Sequence, residues 1–310
     1  MSRKGREGFE TFYSSLYGAR WPALRDALLL KPKQVARPNA FASRSAVESR
    51  FDGVSPAEFA GRDAFILADR FETRRDPEMN LADFYVLDPA SIFPAVALDV
   101  QEGDEVADLC AAPGGKSLIL AESLWSSQLG NSSADTLIAP KPGRLVANEL
   151  SDPRRGRLRA VIEDYLPMSV RENIRVTGHD ATRWCLYETD AYDRILLDAP
   201  CSGERHLLAN QEEMNHWSPA RSKNLAVRQY ALLASALAVV RSGGRIVYST
   251  CSLSNLENDL VIARLLKKRE GEARVLKQTF EIGEPTEHGW MILPDSTGFG
   301  PIYFASLERL

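Results

Sequence analysis

The sequence predicts a doubly wound α/β fold, with a mostly parallel sheet of seven strands and helices on both faces, behind a small helical N-terminal segment. Three observations carry this. Short apolar runs alternate with longer amphipathic stretches from residue 99 onward, the pattern of repeated strand–helix units. Most of these runs end in an acid or a thiol: Cys110, Glu149, Asp180, Asp198 and Cys251. The stretch Tyr192 to His206, YDRILLDAPCSGERH, holds three consecutive apolar residues, as a strand buried on both faces requires. Open α/β sheets bind ligands beyond the carboxyl ends of their strands, so these acids and thiols mark the candidate site.

The elements follow in order. Residues 1–75 read as mainly helical and basic. Phe9, Phe12, Tyr13, Leu16 and Tyr17 recur at helical spacing, and Trp21-Pro22 opens a second helix that Lys31-Pro32-Lys33 ends. Ser55-Pro56-Ala57-Glu58 has the form of a helix start, and a domain boundary is expected near Arg70–Pro77, with the second domain over 76–310. A helix is expected after Asp88-Pro89. Strands are expected at Glu105–Cys110, Arg144–Leu150, Ile174–Asp180, Tyr192–Asp198 and Arg245–Cys251, then at Arg274–Phe280 and Ile302–Leu307. Helices are expected at Ser117–Leu124, after Ser151-Asp152-Pro153, at Leu225–Val240 and at Glu257–Lys268. Residues 125–143, rich in Ser, Asn, Gly and Pro, read as a surface loop.

Composition narrows the class. The 310 residues are 44% hydrophobic and 26% charged, which suits a folded core, and no apolar run reaches the length of a membrane span. The four cysteines, Cys110, Cys185, Cys201 and Cys251, are scattered, with no spacing that suggests zinc or a disulfide framework; a reducing compartment is expected, and no targeting segment is evident. Net charge is −4, yet residues 1–75 carry 14 Lys/Arg against 9 Asp/Glu, whereas residues 76–150 carry 3 against 12. A polyanion would therefore meet one region only, and a merely solvated surface explains the imbalance as well.

The residues with chemistry lie at the strand ends. Ala111-Ala112-Pro113-Gly114-Gly115-Lys116 follows the first strand and leads into a helix, where a small-residue loop lets a ligand approach backbone N–H groups. Lys116 is not a P-loop lysine, because the first Gly of that pattern is missing, and no GxGxxG cradle for a dinucleotide is present. A Gly-Gly turn alone is ordinarily only a turn. Glu149, Asp180 and Asp198 at successive strand ends beside that loop make a nucleoside site, and S-adenosyl-L-methionine, a cation, suits flanking carboxylates better than NAD does. Cys201 and Cys251 end two strands that would be neighbours. A lone cysteine is ordinarily inert core, but two at matching strand ends beside an acid suggest covalent catalysis on an electron-poor ring.

The stretches DPASIFPAVALD, DLCAAPGGKS, ANELSDPRRGRL, GHDATRW, YDRILLDAPCSG and GGRIVYSTCSLSNLEND resemble, in order, the motifs of the Nop/Sun family of RNA cytosine-5 methyltransferases, over roughly residues 84–310. ERH after the Pro-Cys pair, the ending GFGPIYFASLERL and the start FYSSLYGARWPALRDALL resemble its mitochondrial ribosomal-RNA branch. The resemblance implies a class I, Rossmann-like methyltransferase fold that uses S-adenosyl-L-methionine on RNA. It implies Cys251 as the nucleophile at C6 of the target cytosine and Cys201 as the group that assists C5 proton loss and adduct release. Asp198 would grip the cytosine N3/N4 edge while bordering the cofactor. Cys110, Ala111, Ala112, Pro113, Gly114, Gly115 and Lys116 would hold the methionine part of the cofactor. Glu149 would bind the ribose hydroxyls, in place of the Asp common in the family; Asp180 would lie at the adenine region, with Arg154 a further contact.

Other readings stay open at this point. The substrate is ribosomal or transfer RNA, and the chain is an enzyme or an assembly factor that keeps the fold without turnover; intact Asp198, Cys201 and Cys251 favour the enzyme. A DNA methyltransferase would leave Cys251 idle. The acidic balance leaves room for a partner protein that supplies RNA affinity, and the compartment is bacterial cytoplasm or mitochondrial matrix. His206 and the face of Arg154, Arg155, Arg157 and Arg159 are candidate RNA contacts, each matched by a solvated-surface reading. Tyr13, Tyr17 and Trp21 at helical spacing favour core over base stacking.

Overall fold

The computed structural model describes residues 4–43, 45, 47, 49–51, 54–126 and 143–310. Most of the surface loop expected over 125–143 lies outside the described residues.

The chain begins as expected, with helices α1 (Gly5–Tyr17) and α2 (Trp21–Leu29). They send Phe9, Tyr13, Trp21, Leu24 and Leu28 into the main core. Tyr13 stacks on Trp21 with centroids 5.1 Å apart, and Phe9 meets Trp217 edge-on at 5.2 Å. The rings of α1 and α2 are therefore packing groups, not base platforms.

Beyond residue 33 the helical expectation for the N-terminal segment is overturned. Strands β1 (Gln34–Pro38), β2 (Ala57–Phe59), β3 (Arg62–Leu67) and β4 (Phe84–Leu87) form an antiparallel sheet in the order β2-β3-β1-β4. The helix start expected at Ser55–Glu58 is a strand instead. Phe59 pairs with Arg62 across Ala60-Gly61, and both turn residues have positive φ (49° and 73°), the requirement of a tight two-residue hairpin. The hairpin outweighs the local capping pattern. Because β4 pairs with β1, this sheet runs across the boundary expected at 75/76.

After α3 (Ile92–Ala97) comes the main sheet. Its strands are β5 (Glu105–Asp108), β6 (Arg144–Asn148), β7 (Ile174–Thr177), β8 (Tyr192–Asp198) and β9 (Val240–Thr250). These five are parallel, in the order β7-β6-β5-β8-β9. Helices α4 (Gly115–Leu124), α5 (Asp152–Tyr165) and α6 (Met168–Arg171) intervene between the first three strands. Helices α7 (Glu204–Ala209), α8 (Gln211–Asn215) and α9 (Ala220–Val239) join β8 to β9, and α10 (Asp259–Lys268) follows. The rest is antiparallel: β10 (Ala273–Leu276), β11 (Glu284–Pro285), β12 (Trp290–Ile292) and β13 (Ile302–Arg309), with the single turn α11 (Pro294–Thr297). Among the described residues the sheet has nine strands rather than seven. β13 lies along β9, and its far edge is shared end to end by β10 and β12, so one expected edge position is filled by two short strands.

Alternation along the strands explains the two layers. Ala107, Ile195, Leu197, Ile246 and Tyr248 pack with α1, α2, α9 and α10 on one face. Val106, Leu196 and Val247 pack with α3, α4, α5 and the small sheet on the other. Ile195, Leu196 and Leu197 have no exposed surface, as a strand covered on both faces requires. The chain moves outward from β5 toward β7 on one side and from β8 to β9 on the other, so the strand order reverses between β5 and β8. Ligands of such sheets sit at this reversal. Among the described residues no helix is long and apolar enough to cross a membrane.

Candidate active site

Strands β8 and β9 are paired in parallel with Asp198 opposite Ser249, and Ala199 N–H donates to the Ser249 carbonyl at 2.8 Å. The chains leaving these strands therefore start level, and Cys201 and Cys251 meet. Cys251 N–H points at Cys201 Sγ, 3.3 Å away. Cys251 is exposed and Cys201 half-buried. The side-chain hydrogen bond with the Cys251 thiol first, then burial and the charges at Cys251 and Glu204, push the Cys201 thiol up against the pull of the Cys251 N–H, so Cys201 keeps its proton. Asp198 stands beside them, accepting from Lys116 Nζ at 2.8 Å and from Ser249 Oγ at 2.7 Å. Burial would lower the Lys116 ammonium, but the Asp198 carboxylate outweighs it and holds the lysine charged. A cavity of about 910 Å³ opens over this group and takes in Asp198, Cys201, Cys251, Lys116, Arg154 and His206.

A second cavity of about 190 Å³ adjoins the first, sharing Ser91, Lys116 and Asp198 with it. Its wall is the loop after β5: Cys110, Ala111, Ala112, Pro113 and Gly115. Gly114 ends this loop at φ 124°, just before α4, and a Cβ there would stand 2.8 Å from Val161 Cγ1. A Cβ on Gly115 would stand 2.6 Å from Tyr85 Cε1. The two glycines are thus held by close packing of α5 and β4 against the loop, as well as by the turn. Burial pushes the Cys110 thiol up, so it is an inert neutral wall.

Sequence reasoning passed over Asp108 and Tyr85. Strand β5 stops at Asp108, two residues before the expected Cys110, which makes Asp108 the acid at this strand end. It is buried; Ser117 Oγ donates to its Oδ2 at 2.7 Å, and its Oδ1 has no hydrogen-bond partner. Burial pushes its carboxyl up to about 7, against the pull of Ser117. The motif DLC contained this residue, and only the end of the strand distinguished it. Tyr85 comes from the small N-terminal sheet and had no sequence signal.

Glu149 and Asp180 lie past the ends of β6 and β7. Glu149 is buried. Its Oε1 accepts from Ser151 N–H at 2.8 Å; its Oε2 has no hydrogen-bond partner, although Arg154 Nη1 pairs with it at 3.3 Å. Arg154 also donates to the Ala112 carbonyl at 2.8 Å, tying Glu149 to the glycine loop. Asp180 is exposed and caps the turn that follows it through Thr182. Neither acid lines the two cavities, so the structure places them at the margin of the site.

Other candidates have simpler partners. His206 lines the larger cavity, exposed, with Nε2 3.1 Å from Glu213. Arg155 bonds Asp152 and the Glu149 and Leu150 carbonyls, so it closes the start of its own helix. Arg157 and Arg159 are exposed. His179 packs edge-on against Trp184, and Cys185 is half-buried against the core. Among the described residues no group of His, Cys, Asp and Glu is arranged to hold a metal ion.

The site thus joins a thiol pair in an open cavity to a narrower pocket with buried carboxylate oxygens that lack donors. A small molecule carrying a positive centre and hydroxyl donors fits this region: Asp108 Oδ1 in the pocket and Glu149 Oε2 at its margin would each gain a partner, and the charge would offset Asp108, Asp198 and Glu149. The sulfonium, ammonium and ribose hydroxyls of S-adenosyl-L-methionine meet these demands.

Comparison with known proteins agrees with the motifs. A family model described as 16S rRNA methyltransferase RsmB/F matches residues 95–308. The mouse protein named 5-cytosine rRNA methyltransferase NSUN4 is 32% identical, with all of this chain and 89% of the relative covered. The zebrafish protein named tRNA (cytosine(34)-C(5))-methyltransferase, mitochondrial, is 36% identical over 74% of this chain and 62% of its own length. The fold is also that of a crystal structure titled as a methyltransferase homolog from Pyrococcus horikoshii. Its TM-score is 0.75 at 24% identity, with 96% of this chain and 93% of that one covered.

Proposed function

The chain belongs to the RsmB/F family of 16S rRNA methyltransferases, and from that premise we propose that it transfers a methyl group from S-adenosyl-L-methionine to C5 of a cytosine in RNA, through a covalent bond to Cys251. The observation that carries this reading is the meeting of two thiols beside Asp198 in one open cavity. When bound, S-adenosyl-L-methionine supplies an activated methyl group. Asp108 and the loop 110–116 would hold it, with Glu149, Arg154 and Asp180 at the rim.

The target base must leave its stack to enter the larger cavity. Asp198, gripped by Lys116 and Ser249, presents its carboxyl to the cytosine N3/N4 edge. Cys251 Sγ bonds to C6, and the electron pair of the 5,6 double bond makes C5 nucleophilic. After C5 has taken the methyl group, its proton passes to water in the open cavity, the electrons of that C–H bond reform the 5,6 double bond, and the Cys251–C6 bond breaks with its pair returning to sulfur. Cys201, whose sulfur touches the Cys251 backbone, assists this last stage.

Ribosomal RNA is the favoured substrate class, because the relative named for it matches the entire chain, whereas the one named for transfer RNA matches about three quarters. Mitochondrial matrix fits the zebrafish and mouse relatives named tRNA (cytosine(34)-C(5))-methyltransferase, mitochondrial. Bacterial cytoplasm fits the Shewanella sediminis protein named ribosomal RNA small subunit methyltransferase F, 36% identical over 59% of this chain. Bisulfite mapping of total RNA from cells with and without the protein tests the reading. We expect one or a few ribosomal cytosines to lose their signal in its absence and with Cys251→Ala. Full methylation by Cys251→Ala would sink the nucleophile assignment.

A further inference from the structure

Each of the two cysteines is followed by a serine, and the serines meet beneath the site, Ser202 Oγ lying 2.9 Å from Ser252 Oγ. Two carboxyls close around them, Glu204 at the start of α7 and Glu257 just before α10, and neither has any exposed surface. Glu204 Oε1 accepts from the Tyr13 hydroxyl at 2.5 Å and from Ser202 Oγ, and Oε2 accepts from Leu253 N–H at 3.1 Å. Glu257 Oε2 accepts from Ser202 N–H and from Gln229 Nε2, both at 3.0 Å. Gln229 also donates to the Pro200 carbonyl at 2.8 Å. Both loops that bear the thiols therefore hang on the same two acids.

Among the described residues no Lys or Arg forms an ion pair with either carboxyl; the Arg221 guanidinium of α9 pairs with Glu213 instead and otherwise reaches the Ser202 carbonyl, at 3.4 Å. The other titratable groups around the pair are Tyr13 and Tyr17 from α1, Tyr248 from β9, and Cys201 with its partner Cys251. Two full charges in such a place would repel each other without compensation. Proton counting agrees. Ser252 Oγ lies 3.1 Å from Glu204 Oε1 and 3.1 Å from Glu257 Oε1. One hydroxyl has one proton, so while both carboxyls are ionised one of these two oxygens meets a Ser252 lone pair instead of a donor. A second proton closes the chain, because one carboxyl then donates to Ser252 while Ser252 donates to the other. Burial, and then the charge of Glu257, push the Glu204 carboxyl up, in the same sense.

We propose that Glu204 and Glu257 share one proton and, through Ser202 and Ser252, set the spacing of Cys201 and Cys251. They are positioning residues, and this role rests on the assignment of the thiols made above. Gaining a second charge would force the two cysteine loops apart.

The two acids differ in what a glutamine can replace. At 257, a glutamine keeps its carbonyl on Ser202 N–H and Gln229 and turns its NH2 to Ser252, standing in for the shared proton. At 204 both oxygens already accept, so an NH2 group must face a donor. The experiment compares full-length Glu257→Gln, Glu204→Gln and Ser252→Ala, each in an Asp108→Asn background, by infrared spectroscopy at neutral pH. Turnover is measured for the single variants on unmethylated small-subunit ribosomal RNA transcribed in vitro. We expect a neutral-carboxyl carbonyl band in the background protein that disappears with Glu257→Gln. We expect Glu257→Gln to lose a few-fold in kcat. Glu204→Gln and Ser252→Ala should lose on the order of a hundredfold, with KM for RNA unchanged, because an ångström of misplacement costs that much. A band that survives Glu257→Gln, or is absent before it, overturns the shared proton. Equal losses for the two glutamine variants overturn the positioning role; if Glu204→Gln does not fold, Ser252→Ala alone takes its place in this comparison. The spectra need no turnover, so a failure of the methyl-transfer reading would show separately, in an active Cys251→Ala.

Discussion

Cys201 and Cys251 are chemically alike, and their surroundings separate them. Cys251 is exposed to the cavity, whereas Cys201 is half-buried and held as a neutral thiol by the side-chain hydrogen bond with the Cys251 thiol and by burial. If Cys201 serves release, Cys201→Ala should still form the bond to C6 but break it slowly. We expect a protein–RNA adduct that survives denaturing electrophoresis in Cys201→Ala and is absent from the Cys201→Ala/Cys251→Ala double variant. A clean, turning-over Cys201→Ala protein would contradict the assignment. Asp108 supports a second prediction. Its carboxyl, raised to about 7 in the fold, lies near 3.9 in an unfolded chain. The folded state therefore binds this proton more tightly. Asp108 favours the fold below about pH 4, and that contribution is lost as pH rises toward 7. The loss is on the order of 4 kcal/mol from a shift of about three units. Asp108→Asn should remove this segment of slope from the urea midpoint plotted against pH; an unchanged slope would show that Asp108 is not the group.

Among elements, the contact of the small sheet with α4 matters most. Arg37 of β1 and Glu122 of α4 form a buried ion pair at 2.6 Å, both 3% exposed. Tyr85 of β4 packs against Gly115 at the start of the same helix. The N-terminal sheet thus fixes the helix whose first turn follows the cofactor loop. Removing Glu122 would leave the Arg37 guanidinium buried without its counter-ion. We expect Glu122→Ala to cost about 3–5 kcal/mol in denaturant unfolding, and Arg37→Met/Glu122→Met to recover much of it. A double variant as unstable as the single one would show that the pair's charge is not the cause.

For the whole molecule, the N-terminal helices are part of the catalytic body. Phe9, Tyr13, Trp21, Leu24 and Leu28 enter the same core as β8 and β9, and Tyr13 bonds Glu204 beneath the cysteines. A chain lacking residues 1–30 should lose cooperative thermal unfolding and near-ultraviolet circular dichroism, not only RNA affinity. A truncated protein that unfolds cooperatively, and is weakened only in RNA binding, would restore the view of a separate basic arm.

How much of this was legible in the sequence depends on the distance over which each feature is specified. The five parallel strands were legible because residues buried on both faces must be apolar in an unbroken run, as Ile195–Leu197 are. The motifs around Cys110–Lys116, Asp198–Cys201 and Cys251 were legible because turn and chemistry are encoded within a few neighbouring residues. The hairpin at Ala57–Leu67 was missed, since a local capping pattern competes there with strand pairing that depends on distant β1. The splitting of the sheet edge between β10 and β12 depends on how far β13 extends. Tyr85 beside Gly115 and the two acids beneath the thiols join residues far apart in the chain, and no local pattern announces such contacts. By itself the sequence determined the order of strands and helices from β5 to β9 and the residue types at those strand ends. Tertiary structure decided which of those ends converge, which thiol lies open to the cavity and which carboxyls lose their water, because burial and proximity are properties of the folded chain.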